Sequence, residues 1–407
     1  MLEQRLGERI IGLDDDTIKV LATCVRAGRS VLIRGNHGTG KTTFCSIVAE
    51  YLRLEPDEFV YYDASKDDLV SVAGIPDAAS FQRSDGSDEP SRSGLRFLCH
   101  ERTIWNKKVV LIDEITRAPQ ESQNLWLEIV GNRSLFGRQL PCQFLVATCN
   151  PATYTAAFGL DEALLDRFTI VCDFPDLRSA DEWTLAQVAL ANAPGAGSET
   201  TDPLPDGRDE CRDYAARFRQ VITSEKRRKV IATWAGRLVH MIHKITPPPI
   251  RVSNRTLGEH LVGFAFDLLA RDLGNIQESL RLAATYVVAN RLSLDKDVLE
   301  RAILAAWEGV LAEGGLEETV EDLVQYITSF GQWKTRPILR LFQKLRSAEL
   351  DANQQMRIEM ALRRWATPDN SARDLSHIRR ICRRFAPDVL PEVEIAAIHH
   401  EVEERLA

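Results

Sequence analysis

The sequence predicts an α/β fold in which a parallel five-stranded sheet lies between helices, followed by a region that is helical to the end of the chain. Between Ser30 and Phe174, short and continuously apolar segments alternate with helical patterns, which is typical of parallel strands covered on both faces. After Phe174 the strand pattern stops and only helical periodicity continues. The five expected strands are residues 31–34, 59–62, 109–112, 144–149 and 168–173.

The composition argues against several classes of protein. The chain has 407 residues, of which 44% are hydrophobic and 27% are charged, as in a typical globular protein. Its formal net charge of −8 argues against nucleic-acid binding over the whole surface but allows a local basic patch. Because the chain shows no membrane-length apolar run and no signal-peptide core, we expect a cytoplasmic location. The eight cysteines contain no Cys-x-x-Cys pair, so neither a disulfide framework nor a zinc site is expected.

A glycine-rich segment, Gly35-Asn-His-Gly-Thr-Gly-Lys-Thr42, has two glycines five positions apart, followed by Lys and Thr. An apolar strand precedes it, and a helix with Phe44, Ile47 and Val48 on one face follows it. This order of strand, loop and helix favours a phosphate-binding loop over an ordinary turn. The expected nucleotide-binding residues in this segment are Gly35, Asn36, His37, Gly38, Thr39, Gly40, Lys41, Thr42 and Thr43.

The residue types in this loop suit polyphosphate binding. Backbone N–H groups can close around phosphate oxygens only where side chains do not obstruct them, as at the three glycines. The N-terminus of the following helix then faces the anion. Lys41 would reach the outer phosphates as a point charge, and Thr42 would offer its hydroxyl to Mg²⁺.

Two adjacent carboxylates follow a second apolar strand, Val109-Val-Leu-Ile112. Because ligands bind at the carboxyl ends of parallel strands, Asp113 is placed to hold Mg²⁺. Glu114 is placed to orient and deprotonate a water for attack on the terminal phosphate. The alternative is a strand that ends in acidic residues without a catalytic role.

Two further polar residues stand near the ends of the last expected strands. The amide of Asn150, at the tip of residues 144–149, can hold the attacking water or the terminal phosphate, although Asn-Pro is also a turn pattern. Arg167 lies between a short helix and the last strand and can point into the site of an adjacent subunit. The alternatives for Arg167 are a helix C-terminal charge or a partner for Asp166.

Four ordered segments together resemble the AAA+ ATPases, and within them the MoxR-type group: residues 35–42, 113–119, 147–151 and 165–168. The resemblance covers roughly residues 8–175. It implies ATP as the nucleotide and Mg²⁺ as the metal, and it assigns a role to each matching position. The implied catalytic residues are Lys41 (Walker A), Glu114 (Walker B), Asn150 (sensor 1) and Arg167 (arginine finger), with Thr42 and Asp113 as the metal ligands.

The resemblance also implies an ATPase core at residues 1–175 that is followed by a helical lid at 176–314. Residues 315–407 exceed such a lid and match no known segment, and we expect them to form a helical C-terminal extension. In the lid, Ser253-Asn-Arg255 is similar to the sensor 2 segment, where Arg255 would contact the outer phosphates. Arg251 is the alternative, as is a surface role for both arginines. Residues 75–94 correspond to an insert in helix 2 and 131–143 to a hairpin before sensor 1, which face the substrate or partner in related proteins.

The expected function is that of an ATP-hydrolysing remodelling motor or chaperone that forms a homo-oligomeric ring, most simply a hexamer. The resemblance implies a protein partner that carries a von Willebrand factor A domain. Two alternatives stay open, an NTPase acting on nucleic acid and a nucleotide-gated assembly scaffold. The residues leave open the client, the pathway, the ring size and the preference for ATP over GTP.

A basic cluster lies in the C-terminal extension. Between Lys334 and Arg384 there are thirteen Lys and Arg residues against five Asp and Glu residues. Trp333, Phe342 and Trp365 are interleaved with them. This pattern is consistent with a surface for nucleic acid or an acidic partner, and also with a solvated helical face above core aromatics, which the acidic net charge favours.

Overall fold

The computed structural model describes residues 2–36, 38–77, 96–150, 160–175, 182–191, 206–245, 252–272, 276–292, 294–311 and 352–365, together with 320, 323, 324, 342, 345, 350, 383, 396 and 400. The chain divides into two compact units. The first comprises Met1–Arg228 and Ile250–Lys296, and the second Lys229–Pro249 and Asp297–Ala407. The predicted division into a core, a lid and an extension stays a prediction, because these two units do not test it.

The strands of the first unit are β1 (Val31–Arg34), β2 (Phe59–Asp63), β3 (Ile75–Pro76), β4 (Phe97–Leu98), β5 (Val109–Asp113), β6 (Ser134–Leu135), β7 (Arg138–Gln139), β8 (Phe144–Cys149) and β9 (Ile170–Asp173). Five of them form a parallel sheet in the order β2-β5-β8-β1-β9. The predicted parallel five-stranded sheet is therefore confirmed. β9 begins two residues later than expected, because the N–H groups of Arg167 and Phe168 close a helical turn instead.

Helices α1 to α9 are Leu2–Arg9, Asp15–Ala27, Lys41–Tyr51, Leu69–Ala73, Gln120–Asn132, Glu162–Leu165, Glu182–Ala191, Gly207–Thr223 and Glu225–Ile245. Apolar side chains of α3 and α5 pack on the sheet. Phe44 of α3 meets Phe144 of β8 edge-on, with ring centroids 6.1 Å apart. Trp126 of α5 lies 5.6 Å from Tyr62 of β2, and both rings are fully buried. The helical patterning of the sequence thus places the sheet in the interior of the unit.

Two short hairpins accompany the sheet. β3 pairs with β4 and β6 pairs with β7, each in antiparallel register. The second confirms the hairpin expected within residues 131–143, whereas the pairing of β3 with β4 was not expected. Residues 78–95, which hold most of the expected insert, lie outside the described residues. The rings of Phe97 and Phe136 stack at 5.3 Å and so bring the two hairpins into contact.

The remaining helices of the first unit contain two π-helical segments. Thr256–Val262 continues into α10 (Gly263–Arg271), and α11 (Ile276–Ala283) continues through a π-helical segment, Ala284–Ala289, into α12 (Asn290–Leu292). Asp267 of α10 is buried and accepts hydrogen bonds from Arg29 Nε at 2.6 Å and from the Tyr214 hydroxyl at 2.9 Å. This buried group ties α10 to α8 and to the turn after α2.

The second unit contains most of α9, α13 (Lys296–Leu311) and α14 (Ala352–Trp365). Gly309 of α13 lies against the side chain of Arg237 of α9. Most of the basic cluster lies outside the described residues, but the ring of Phe342 is fully buried. Its burial agrees with the expectation of core aromatics between the basic residues.

Candidate functional site

The glycine-rich loop connects β1 to the first residue of α3. The amide of Gly35 donates to the carbonyl of Cys149 at 3.1 Å, which fixes the start of the loop against the end of β8. Gly40, the residue before α3, has a φ of 89°, a left-handed conformation that side chains strain. A Cβ on Gly40 would also lie 3.1 Å from Cγ2 of Ile10. The loop therefore requires glycine at this position.

The ammonium of Lys41 lies inside this loop. Its Nζ donates to the carbonyl of Gly35 at 2.7 Å and to the carbonyl of Asn36 at 2.9 Å. Burial lowers the pKa of the ammonium, and the nearby carboxylates of Asp113 and Glu114 oppose that shift. The positive charge is thus held at the point where the loop meets the N-terminus of α3.

These features fit a polyphosphate and its metal ion. The left-handed glycines, the enclosed ammonium and the helix N-terminus provide a cradle of positive potential for an anion. Thr42, in the first turn of α3, is exposed, and Asp113 ends β5. A hydroxyl and a carboxylate are oxygen ligands that suit Mg²⁺.

Both carboxylate oxygens of Asp113 have a hydrogen-bond partner. The hydroxyl of Tyr61, on β2, donates to Oδ2 at 2.8 Å, and the hydroxyl of Thr148, on β8, donates to Oδ1. Burial and the hydrogen bond to Asp113 raise the pKa of Tyr61, so its hydroxyl keeps its proton. Neighbouring strands on both sides of β5 therefore hold this carboxylate in one orientation.

Glu114 follows β5 directly and adopts a left-handed conformation, with φ 52°. Its Oε1 accepts from Nδ2 of Asn150 at 3.3 Å, and its Oε2 lies 2.6 Å from Nη1 of Arg117. Its backbone N–H donates to the Thr148 hydroxyl at 3.3 Å. A positive φ costs conformational free energy in a non-glycine residue. The contacts with Asn150, Arg117 and Thr148 hold Glu114 in this conformation.

Asn150 is 6% exposed, and its side chain has one unused polar atom. While Nδ2 contacts Glu114, Oδ1 is buried and accepts no hydrogen bond from the described residues. A buried acceptor without a donor is costly, so a water or a ligand group is the expected partner. The site thus presents an acceptor beside the carboxylate of Glu114.

Arg167 lies apart from this group. Its side chain packs on α5, where a Cβ on Gly131 would lie 2.5 Å from Cδ and 2.7 Å from Nε of Arg167. Within the described part of the chain, Nε is buried without a hydrogen-bond partner. Asp166 does not pair with it, because that carboxylate bonds to Ser253 and Thr256 instead. Among the described residues, the ion-pair partner of Asp166 is Arg291 and not Arg167.

Arg255 stands at the start of the first π-helical segment. Its Nε lies 3.2 Å from Oε2 of Glu259, one turn later, and its Nη1 is buried without a hydrogen-bond partner among the described residues. Arg251, the alternative for sensor 2, and His37 of the loop lie outside the described residues.

The structure thus brings together some predicted residues and leaves others apart. Thr148 links Asp113 to Glu114 by hydrogen bonds, and Glu114 in turn contacts Asn150. Lys41 lies near both carboxylates. No described contact links Arg167 or Arg255 to these residues. Sequence reasoning missed Tyr61, Thr148 and Arg117. Of these, Thr148 could have been found, because the period of two in a strand places it on the same face as Asn150.

A comparison with protein families gave one match. Residues 30–170 match the family described as "ATPase family associated with various cellular activities (AAA)". The matched segment contains β1 to β8, the first residue of β9, the glycine-rich loop, Asp113, Glu114, Asn150 and Arg167. A search of curated proteins gave no significant match.

One solved structure shares the fold. The crystal structure of a candidate ATPase from Cytophaga hutchinsonii is 18% identical, with a TM-score of 0.53, and the match covers 75% of this chain and 92% of that one. A full-length MCM homolog from Methanopyrus kandleri is 16% identical, with a TM-score of 0.38, over 70% of this chain and 57% of that one. At such identities, the first similarity establishes the AAA+ fold alone, and the second score is too low to establish a common fold.

Membrane-spanning helices and clusters of metal-binding side chains are both absent from the described residues. None of the described helices has both the length and the apolar character required to cross a bilayer. Likewise, the described His, Cys, Asp and Glu side chains form no cluster of three or more that would bind a metal by themselves.

Proposed function

We propose that this protein hydrolyses ATP to ADP and phosphate in an AAA+ ring and uses the reaction to remodel a protein partner. The buried amide of Asn150 is the observation that carries the proposal. It lies 3.3 Å from the carboxylate of Glu114 and has an unused acceptor oxygen. A base and an acceptor side by side, one strand away from a phosphate loop, suit the orientation of an attacking water.

Each residue of the site has a role in this proposal. Glu114 accepts a proton from the water, and Asn150 holds that water in line with the terminal phosphate. Lys41 leaves the loop carbonyls and binds the outer phosphates. Thr42 and Asp113 would hold Mg²⁺, which supplies charge neutralisation across the phosphate oxygens. Tyr61 and Thr148 keep Asp113 oriented for that contact.

Arg167 completes the site of a neighbouring subunit in this proposal. Its guanidinium would stabilise charge on the transferring phosphoryl group, which is consistent with a side chain that has no described carboxylate partner. Arg255 would contact the phosphates of its own subunit. A ring, most simply a hexamer, follows because each nucleotide then needs two copies of the chain.

The partner is the least constrained part of the proposal. The resemblance to MoxR-type proteins favours a client or adaptor with a von Willebrand factor A domain. We therefore expect a purified protein of that class from the same gene neighbourhood to raise the steady-state rate of ATP hydrolysis. Stimulation by DNA or RNA alone, lost at high salt, would instead favour the nucleic-acid alternative.

Replacement of Glu114 tests the catalytic assignment. We expect Glu114→Gln to bind ATP with unchanged affinity. Its rate of hydrolysis should fall by a factor of at least about 100, because the amide cannot accept the proton. Nucleotide affinity and phosphate release are measured on the same preparation. Glu101→Gln, a change of the same charge at an exposed position, is the matched control and should retain the wild-type rate. A wild-type rate in Glu114→Gln would contradict the assignment.

A further inference from the structure

The two residues that flank Arg167 are both held by side chains from the helices that follow the sheet. Oδ1 of Asp166 accepts hydrogen bonds from the hydroxyl of Ser253 at 2.7 Å and from that of Thr256 at 2.6 Å. Both donors come from the stretch that opens the first π-helical segment. A carboxylate that accepts two hydroxyl groups at these distances is firmly oriented.

Arg291, on α12, holds the same turn from a second side. Its Nη1 lies 3.5 Å from Oδ1 of Asp166, and its Nη2 donates to the carbonyl of Phe168. The Arg291 side chain is only 6% exposed. Burial lowers the pKa of Arg291 to about 10, and the charge of Asp166 opposes that shift. The guanidinium therefore stays charged near neutral pH, and its contacts reach both neighbours of Arg167.

His260 supplies a third contact. Its Nε2 lies 2.9 Å from the carbonyl of Asp166, and since a carbonyl only accepts, Nε2 carries the proton. Burial lowers the pKa of His260 to about 4, so the ring is neutral near pH 7. Thr256 and His260 are four residues apart within a π-helical segment, a rare conformation that occurs often at functional sites. Its wider turn places both side chains on the Asp166 turn.

The contrast with Arg167 itself is informative. Its neighbours are fixed by four side chains, whereas its own Nε has no hydrogen-bond partner among the described residues. Its backbone is fixed as well, since the hydroxyl of Ser30 donates to its carbonyl at 3.4 Å. A side chain whose base is fixed and which has no carboxylate partner among the described residues is suited to present its charge to a partner outside the subunit.

We propose that Asp166, Ser253, Thr256 and Arg291 form an anchor that positions Arg167 for the nucleotide site of the neighbouring subunit. These four are positioning residues, and the inference depends on the proposed role of Arg167. Arg255 lies between the two hydroxyl donors in sequence. A movement of Arg255 on binding of the subunit's own nucleotide would therefore be transmitted through this anchor to Arg167, which contacts the nucleotide of the neighbouring subunit.

Removal of one hydroxyl tests the anchor. Thr256→Val keeps the shape of the side chain and loses its hydrogen bonds. We expect kcat for ATP hydrolysis to fall about tenfold with an unchanged KM, because small misplacements of a catalytic group are costly. Thr256→Ser, which restores the hydroxyl, should return kcat to within about twofold of wild type. Thr285→Val is the matched control, since among the described residues that hydroxyl bonds only to the carbonyl of Arg281, one turn earlier.

A double-mutant cycle separates positioning from simple loss of stability. If Thr256 acts through Arg167, then Thr256→Val should have no further effect in an Arg167→Ala background. Single-turnover assays with labelled ATP measure these low rates. Multiplicative losses in the double variant, or a loss confined to KM, would overturn the anchor.

The cycle also distinguishes failure of the anchor from failure of the proposed function. If Arg167→Ala hydrolyses ATP at the wild-type rate, the trans role of Arg167 is wrong, and the anchor has no catalytic meaning. If Arg167→Ala is impaired and Thr256→Val is not, the ring mechanism stands and only the anchor is wrong. Melting temperatures of all variants identify any that fail to fold.

Discussion

Nη1 of Arg117 lies 2.6 Å from Oε2 of Glu114, so the carboxylate proposed as the catalytic base is already in an ion pair. The two residues belong to one short 3₁₀ turn, Ile115–Arg117, with Glu114 as its cap. The Arg117 side chain is 36% exposed and that of Glu114 is 17% exposed. With Asn150 on the other oxygen, both oxygens of the proposed base are engaged.

We predict that Arg117→Ala raises the rate of ATP hydrolysis without a partner. The ion pair must open before Oε2 can accept a proton, and partly exposed pairs contribute up to about 1 kcal/mol. The gain should therefore be at most about fivefold, measured as steady-state phosphate release. Arg117→Lys retains the charge and should stay near the wild-type rate. A lower rate in Arg117→Ala would mean that the pair orients Glu114 for catalysis.

We predict that Thr148→Val lowers the apparent affinity for Mg²⁺ at the site of Asp113. The hydroxyl of Thr148 orients a proposed metal ligand, and loss of such outer contacts typically weakens metal binding by about tenfold or more. The Mg²⁺ concentration at half-maximal ATP hydrolysis should rise accordingly. Thr148→Ser should behave like wild type, whereas an unchanged Mg²⁺ titration in Thr148→Val would remove Thr148 from this role.

We predict that Arg167→Ala lowers kcat by about 10³-fold and leaves nucleotide affinity unchanged, since its partner would be the nucleotide of another subunit. Phosphate release and nucleotide binding are measured with the mass of the assembly. Arg212→Ala, at an exposed position of α8, is the matched control. Loss of nucleotide affinity together with kcat would place Arg167 in its own subunit's site.

We predict that Arg29→Met destabilises the first unit by about 3–5 kcal/mol, because it leaves the buried carboxylate of Asp267 without its cation. Arg29→Met combined with Asp267→Leu should recover most of that loss, since no buried charge then remains. Urea unfolding provides the free energies. Arg212→Met, which opens an exposed pair with Asp209, should change stability by less than about 1 kcal/mol.

We predict that His260 makes stability depend on pH. Its folded pKa of about 4 lies below the ordinary value of 6.5, so the unfolded chain binds more protons between those values. Stability is thus fully present above about pH 6.5 and falls as the pH drops toward 4, by at most about 3 kcal/mol. Urea unfolding at several pH values should give a flatter profile for His260→Gln. An equal slope in both proteins would contradict the neutral, buried imidazole.

The parallel sheet was predictable because its strands are short and continuously apolar, as in Val109–Ile112, and helical patterns separate them. The loop was predictable because glycine, lysine and threonine have distinct chemical tasks there. Neither inference required knowledge of contacts. The order of the strands needed the structure, and with it the position of Tyr61 beside Asp113.

The rest of the site depends on contacts between residues far apart in sequence. The bond between Thr256 and Asp166 spans ninety positions, and nothing in the local pattern of either segment indicates it. Likewise, the helical periodicity of the sequence does not distinguish the π-helical segments from α-helix. The pair of Glu114 and Arg117 is local, but the left-handed conformation of Glu114 that accompanies it has no sequence pattern of its own.

The absence of a side chain at Gly131 determines how far Arg167 extends. A methyl group there would occupy the space of the arginine's Cδ and Nε, and the flexible arginine would have to give way. An alanine at position 131 would alter neither the charge of the chain nor any hydrogen-bonding side chain. It would nevertheless displace the guanidinium of Arg167 and so remove the contact proposed for it in the neighbouring subunit. A survey of polar residues alone would overlook such a substitution.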